Sequence, residues 1–164
     1  MIELDRLDRK ILCELERDAH LTNIKLAERV GLSPSACLRR VQELEKVGVI
    51  QGYKAIIDYS LLGIGLIVYV TIGLSNHSKA CLEHFEEVIT ATPEVTECHT
   101  ITGAVEYLLR VEVTDIQAYK KFHTNVLGTI PSIASITSFL VMDTTKNKHT
   151  SQHIMSLTEI KNRA

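Results

Sequence analysis

Residues 31–48, with the sequence GLSPSACLRRVQELEKVG, constrain the fold more than any other stretch because they mark both ends of one helix. Gly31 is typical of a residue that ends a preceding helix. Ser33 can accept hydrogen bonds from the free amides of the next helix, and Pro34 suits its first position, where an N–H would have no partner. Gly48 ends this helix. The spacing therefore predicts two helices joined by a tight turn.

Two helices are predicted ahead of that turn. Residues 4–17 place apolar side chains at helical spacing on one face, with Asp5 as the N-cap. Thr22 can cap a short second helix that ends at Gly31. The first third of the chain is therefore predicted to be a three-helix unit.

The third helix is predicted to have a core face and a solvent face. Leu38, Val41 and Leu44 recur every three residues and are predicted to face the core, where Leu38→Ala would cost about 2 to 4 kcal/mol of stability. The small and basic residues on the opposite face suit a helix-turn-helix that binds in a DNA major groove. A small side chain lets the backbone approach the phosphates and base edges, and an arginine can reach a guanine edge or a phosphate. The predicted DNA-contacting residues are Ser33, Ser35, Ala36, Arg39 and Arg40. A three-helix packing unit with a solvated charged face is the alternative.

The charge of this unit limits how it could bind DNA. Residues 1–52 hold nine Lys and Arg against nine Asp and Glu, so the net charge is zero. A neutral domain gains little from releasing the counterions of DNA. Useful DNA binding would therefore require several copies acting together.

The rest of the chain alternates strand and helix patterns. Residues 53–57 have strand character and mark a boundary, where a wing or connecting strand is predicted. Beyond it the order is βαββαβ, which predicts a ferredoxin-like four-stranded antiparallel sheet with both helices on one face. Its predicted elements are strand 66–74, helix 78–91, strand 95–102, strand 107–113, helix 115–127 and strand 133–142. The fold class is therefore α+β, a winged-type helix-turn-helix domain followed by a ferredoxin-like domain.

Several classes of protein are disfavoured by the sequence. No run approaches the roughly 20 apolar residues of a membrane span, and the N-terminus lacks a secretory signal, which predicts a cytoplasmic protein. Four scattered cysteines suit reduced thiols. Cys81, His84, Cys98 and His99 are potential ligands of a soft metal ion. Because Cys98 and His99 would point to opposite faces of a strand, they could not easily share one ion, so neither a metal site nor a cofactor is predicted. A Ser-His-Asp pattern, paired catalytic carboxylates and a phosphate loop are missing, so no enzyme is predicted.

The helix-turn-helix containing GLSPSACLRRVQELEKVGVI and the later segment ECHTITGAVEYLL together resemble the Lrp/AsnC family of leucine-responsive and asparagine-responsive regulators. LSPSACLRRV is similar to the family pattern LSPTPCLxRV, with Ser35 and Ala36 in place of Thr and Pro. The resemblance implies double-stranded DNA as a partner and homodimers that assemble into larger discs, often octamers. It also implies small effectors, usually amino acids, bound in clefts between the effector domains of neighbouring dimers.

The apolar pattern independently predicts an assembly. Strand 66–74 carries apolar residues on both faces, so the face without helices would be an apolar patch too large for a monomer. A sheet from a second chain would cover it. The predicted domains are 1–52 for DNA binding, 53–63 as a linker strand or hinge, 64–145 for effector binding and oligomerisation, and 146–164 as a tail.

The effector motif of the family is a glycine turn followed by an Asp-Tyr pair, and it reads GAVEY at residues 103–107. Glu106 replaces the Asp, and its carboxylate could accept an α-ammonium group while backbone amides receive a carboxylate. By resemblance, some of the cleft residues come from a neighbouring chain. The predicted effector-binding residues are Thr100, Thr102, Gly103, Ala104, Glu106, Phe139, Leu140 and Val141. The alternative is an ordinary hairpin turn in which Glu106 is solvated.

Three functions are consistent with these patterns. The first is a sequence-specific transcriptional regulator whose oligomeric state or DNA affinity responds to a small effector, an amino acid. The second is an architectural DNA-wrapping protein without an effector. The third is a tetrapyrrole-modifying enzyme on the same fold, with His84, His99 and His123 as its available histidines.

Overall fold

The structure is a computed structural model that describes residues 4–146, and it divides into two compact units between Ile56 and Ile57. The break lies within the segment 53–63 that the sequence suggests as a linker. Of the predicted tail 146–164, only Lys146 lies within the described residues.

The first unit consists of three helices, α1 (Arg6–Arg17), α2 (Asn23–Val30) and α3 (Pro34–Lys46). All three predicted N-caps are confirmed. The Asp5 carboxylate accepts from the amides of Leu7 and Asp8 at 2.8 Å each, and the hydroxyls of Thr22 and Ser33 accept from amides in the first turns of α2 and α3. These caps fix where each helix begins because they satisfy amides that have no partner inside the helix.

The core of the first unit corrects the predicted inward face of α3. Leu38 is 46% exposed, whereas Cys37 is completely buried and packs with Leu44 against α1 and α2. Successive steps of three residues drift by about 60° around a helix of 3.6 residues per turn. Cys37, Val41 and Leu44 follow the i, i+4, i+7 spacing that keeps side chains on one face.

The strand predicted at 53–57 is wrong. Residues 51–58 form no helix or strand, and Tyr59–Leu62 form a single 3-10 turn ended by Gly63 at φ 85°. A strand satisfies its backbone groups through a neighbouring strand. No other strand of the described chain pairs with this segment.

The second unit confirms the predicted βαββαβ order. Its elements are β1 (Leu66–Leu74), α4 (Lys79–Thr90), β2 (Val95–Thr100), β3 (Tyr107–Val113), α5 (Ile116–Asn125) and β4 (Ile133–Leu140). The strands form one antiparallel sheet in the order β2-β3-β1-β4, as a ferredoxin-like fold requires. β2 and β4 each end two residues earlier than the sequence predicts.

Alternate residues of β1 and β3 pack against α4 and α5. Val68, Val70 and Ile72 lie opposite Val111, Leu109 and Tyr107, and all six are buried. Phe85 and Ile89 of α4 and Tyr119 and Phe122 of α5 complete this core. Ile116, the first residue of α5, is half exposed.

The opposite face of the sheet, termed here the open face, is less apolar than the sequence predicts. Its apolar members are Ile67, Tyr69, Leu108 and Phe139, none of which belongs to the buried core. Arg110 lies among them and pairs with Glu97 and Glu112. The face therefore combines an apolar group with an ion-pair network.

No helix between residues 4 and 146 is both long and apolar enough to cross a membrane.

Candidate DNA-binding and effector sites

The solvent side of α3 presents Ser35 and Arg39. Both are exposed, and Arg39 makes no ion pair with any residue in the described part of the chain. The Ser33 hydroxyl accepts from the Ala36 amide and lies 3.3 Å from the Ser35 hydroxyl. Ala36 is only half-exposed. Of the two arginines considered from sequence, Arg39 is thus the one with an uncompensated charge on this surface.

Arg40 occupies a different environment from the one predicted. Its Nη1 donates to Asp5 Oδ2 and to Asp8 Oδ1, both at 2.7 Å, so the guanidinium joins α3 to the N-terminus of α1. The hydrogen bonds to Asp8 and Asp5 raise the pKa of Arg40, and the Asp8 amide is the first of the groups that lower the pKa of Asp5. Arg40 was predicted on the solvent face of α3, but its side chain is only 28% exposed because two acids distant in sequence pair with it, and its contact with DNA stays a prediction.

Replacing Arg40 with alanine is expected to destabilise the first unit by about 1 kcal/mol, since both ion pairs are lost and Asp8 keeps a largely covered carboxylate without its cation. Arg39→Ala is the matched control and should leave stability unchanged. The check is urea unfolding of both variants followed by circular dichroism. Equal unfolding midpoints for Arg40→Ala and wild type would show that the ion pairs of Arg40 with Asp5 and Asp8 contribute nothing to stability.

The second site lies at the turn between β2 and β3. Gly103 has φ 135°, a conformation that residues with a side chain rarely adopt. The next acid, Glu106, is held on both oxygens: Oε2 accepts from the Leu74 amide at 2.6 Å, and Oε1 lies 2.9 Å from His77 Nε2. The turn therefore places a carboxylate beside the C-terminal end of β1.

These contacts favour the ionised form of Glu106. The Leu74 amide, followed by His77, holds the pKa of Glu106 below its ordinary value. An acid with a lowered pKa is ionised at neutral pH, which is the form that accepts an ammonium group. Sequence reasoning missed both Leu74 and His77, since they lie about 30 residues before Glu106 and only the β1–β3 register brings them close.

Tyr107, the residue after Glu106, anchors the turn to the core. Its ring is buried and stacks near Phe85 with 4.5 Å between centroids, and its hydroxyl donates to Glu86 at 2.8 Å. Burial and the Glu86 carboxylate raise the pKa of Tyr107. Because neighbouring strand residues point to opposite faces, a buried Tyr107 fixes Glu106 on the other side.

The predicted effector residues do not converge within one chain. Thr100, Thr102, Gly103 and Ala104 are exposed beside Glu106, where β3 pairs with the C-terminal end of β1. Phe139 and Leu140 end β4 and Val141 follows it, all at the opposite end of β1, where the Val141 amide donates to the Ile67 carbonyl. Ile72 lies five positions along β1 from Ile67, which is about 17 Å. A single chain therefore supplies only one part of the predicted cleft.

No group of three or more His, Cys, Asp and Glu side chains within residues 4–146 is arranged to hold a metal ion. Cys98 and His99 pair with adjacent residues of β3, Leu109 and Leu108, and so point to opposite faces. Partial desolvation, together with the nearby Glu86 carboxylate, raises the pKa of the Cys98 thiol although the residue is exposed.

Two family models match the chain. One, described as winged helix-turn-helix DNA-binding, covers residues 4–51, and the other, described as the Lrp/AsnC ligand binding domain, covers residues 67–150. The leucine-responsive regulatory protein of Escherichia coli strain K12 is 38% identical over 147 residues, which span 90% of each protein.

Solved structures agree with these matches. The AsnC family transcriptional regulator from Agrobacterium tumefaciens is 39% identical, with a TM-score of 0.84 over 90% of this chain and 95% of that one. A transcriptional regulator from Neisseria meningitidis, crystallised in complex with L-Met, is 32% identical, with a TM-score of 0.87 over 93% of this chain and 99% of that one. The matched proteins are named as regulators, in agreement with the prediction that the chain is not an enzyme. With a helix-turn-helix followed by a ligand-binding domain, this chain belongs to the Lrp/AsnC family of transcriptional regulators.

Proposed function

We propose that the chain binds specific DNA sequences through α3, and that its DNA affinity or its assembly responds to a small amino acid. The observation that carries the DNA part is the exposed Arg39 in the second turn of α3, uncompensated by any acid among the described residues. An arginine in the first turns of a recognition helix can contact guanine O6 and N7 or a phosphate. Ser35, one turn earlier, adds a hydroxyl on the same side, and Ser33 and Ala36 lie at the helix start. Arg40 acts indirectly by holding α3 against α1.

Selection from a pool of random duplexes tests the DNA part of the proposal. The full chain is incubated with the pool at physiological salt, and bound duplexes are sequenced over several rounds. A specific regulator enriches one motif, with half-sites related by symmetry if copies bind in pairs. A pool that remains random after selection would contradict sequence-specific binding.

The effector part of the proposal places an amino acid at the turn between β2 and β3. The ionised Glu106 is suited to the α-ammonium group, and the amides near Gly103 and Ala104 to the α-carboxylate. The relative from Neisseria meningitidis was crystallised with L-Met, a free amino acid with an apolar side chain. Apolar Phe139, Leu140 and Val141 of a neighbouring chain would then line the remainder of the cleft.

An architectural DNA-binding protein without an effector is the second candidate, and one observation favours it. Both oxygens of Glu106 already have partners in the chain, so an incoming ammonium group would have to share or displace the His77 contact. Thermal unfolding with each free amino acid separates the two candidates. A ligand at about 100 times its Kd stabilises the native state by about 2.7 kcal/mol, so at least one amino acid should raise the Tm. An unchanged Tm with all of them would favour the architectural candidate.

The functional form is proposed to be a homodimer that assembles further, with an octamer as the form that the resemblance implies. The cleft needs residues from both ends of β1, which one chain holds apart, and the open face leaves Tyr69 and Phe139 exposed. Light scattering at micromolar concentration should therefore give at least twice the mass of one chain. The mass of a single chain would contradict the shared cleft.

A further inference from the structure

Leu38 is the apolar residue that α3 leaves outside the core. It is 46% exposed, while the core position beside it is filled by Cys37, which is completely buried. Val41 and Leu44 complete the inward face of α3. Packing of the three helices therefore gives no reason for a leucine at position 38.

The side chain of Leu38 belongs to a continuous surface feature. Ser35, Leu38, Arg39 and Gln42 are all exposed and follow the i, i+3, i+4, i+7 spacing of a single helical face. We call these four residues the exposed stripe. It runs along the first three turns of α3, beginning next to the Ser33 cap. This part of a recognition helix approaches base edges.

The chemistry of the major groove supplies a partner for an isolated leucine. Thymine carries a 5-methyl group there, and apolar side chains distinguish it from other bases by contact rather than by hydrogen bonding. We propose that Leu38 is a specificity-determining residue that packs against the 5-methyl group of a thymine, next to the base or phosphate that Arg39 contacts. This proposal rests on the DNA-binding function proposed above.

DNA fits the exposed stripe better than a second copy of the chain does. Leu38 stands among Ser35, Arg39 and Gln42, so its apolar surface is small and surrounded by polar groups, whereas the centre of a protein interface is contiguous and depleted of charge. Arg39 adds a positive charge that no described acid neutralises, which suits a polyanion. The pair of Leu38 and Arg39 therefore matches a thymine methyl group that lies next to a guanine or a phosphate.

Replacing single thymines by deoxyuridine tests this contact because the exchange removes only the 5-methyl group. The duplex is the one selected by the full-length wild-type chain, and each thymine is exchanged in turn. We expect one thymine in each half-site to respond, with a fall in wild-type affinity of about fourfold, the factor that corresponds to burying one methyl group. Leu38→Ala should bind the thymine duplex at least that much more weakly and should no longer respond to deoxyuridine at that position.

Val47→Ala provides a matched control. Val47 is also apolar and 40% exposed, but it caps the C-terminal end of α3, away from the stripe. This variant should keep the wild-type response to deoxyuridine. Light scattering of Leu38→Ala should give the wild-type mass.

Four results would overturn the proposal, and they are distinguishable. A wild-type protein that selects a motif but responds to no deoxyuridine exchange would exclude the methyl contact while leaving the proposed function intact. A Leu38→Ala protein that keeps the full response would assign the contact to another residue, and one with an altered mass would assign Leu38 to a contact between copies. A pool without enrichment would overturn the proposed function and this inference together.

Discussion

Replacing Arg39 with alanine is expected to weaken binding to the selected duplex by about 1 to 3 kcal/mol, the range of an arginine contact to a guanine edge. The free energy of unfolding should not change, because Arg39 is exposed and makes no ion pair with the described residues. Fluorescence anisotropy of a labelled duplex, measured at several salt concentrations, checks the effect on affinity.

Arg40→Ala is the matched comparison for this experiment because it removes the same side chain one position along α3. If Arg39 contacts a phosphate, Arg39→Ala should reduce the magnitude of the slope of log K against log salt concentration by about one. If Arg39 contacts a base, the variant should discriminate less between bases at one position of the duplex. Arg40→Ala should leave both the slope and the base preference unchanged, since its guanidinium is held by Asp5 and Asp8. Equal affinities of Arg39→Ala and wild type would contradict the role of α3.

Replacing Glu106 with glutamine is expected to weaken binding of the best amino acid by about ten- to a hundredfold, the scale of a hydrogen bond to a charged group. The amide oxygen of glutamine can still accept from the Leu74 amide, so the turn keeps its backbone contact while the negative charge is lost. Effector-free binding to the selected duplex should stay near the wild-type value. Isothermal titration calorimetry with the amino acid gives the affinity.

Glu83→Gln is the control for the loss of an acid in the second unit. Glu83 lies on α4 and pairs with Lys79, outside the proposed site, so its replacement should leave amino-acid affinity unchanged. If Glu106→Gln and wild type bound the amino acid equally well, Glu106 would not be the ammonium acceptor. The alternative of an ordinary hairpin turn that binds no effector would then be favoured.

The sequence predicted best where the structural signal is local. Asp5, Thr22 and Ser33 were identified as caps because a cap and the amides it satisfies lie within three residues of each other. The strand and helix order of the second unit followed from periodicity, which is also local. The placement of Leu38 failed because the three-residue spacing of Val41 and Leu44 was extended back to a position that lies off the core face.

The contacts that define the two sites could not be predicted from the sequence because they depend on packing between segments that are distant along the chain. Arg40 meets Asp8 across 32 positions, and Glu106 meets Leu74 across the same separation. An acid in the first turn of α1 gives no indication in the sequence of which distant arginine it contacts. The separation of Phe139 from Glu106 follows from the β1–β4 register, which periodicity leaves undetermined.

One dissociation constant measured in two conditions shows whether this chain is a sequence-specific DNA-binding regulator that responds to an amino acid. The constant is that of the selected duplex and the full-length protein, with and without a saturating concentration of the amino acid that raises the Tm most. We expect this dissociation constant to change by about five- to 150-fold, the usual range for coupling between two sites. The same dissociation constant in both conditions would contradict it, since the amino acid would then bind without regulating.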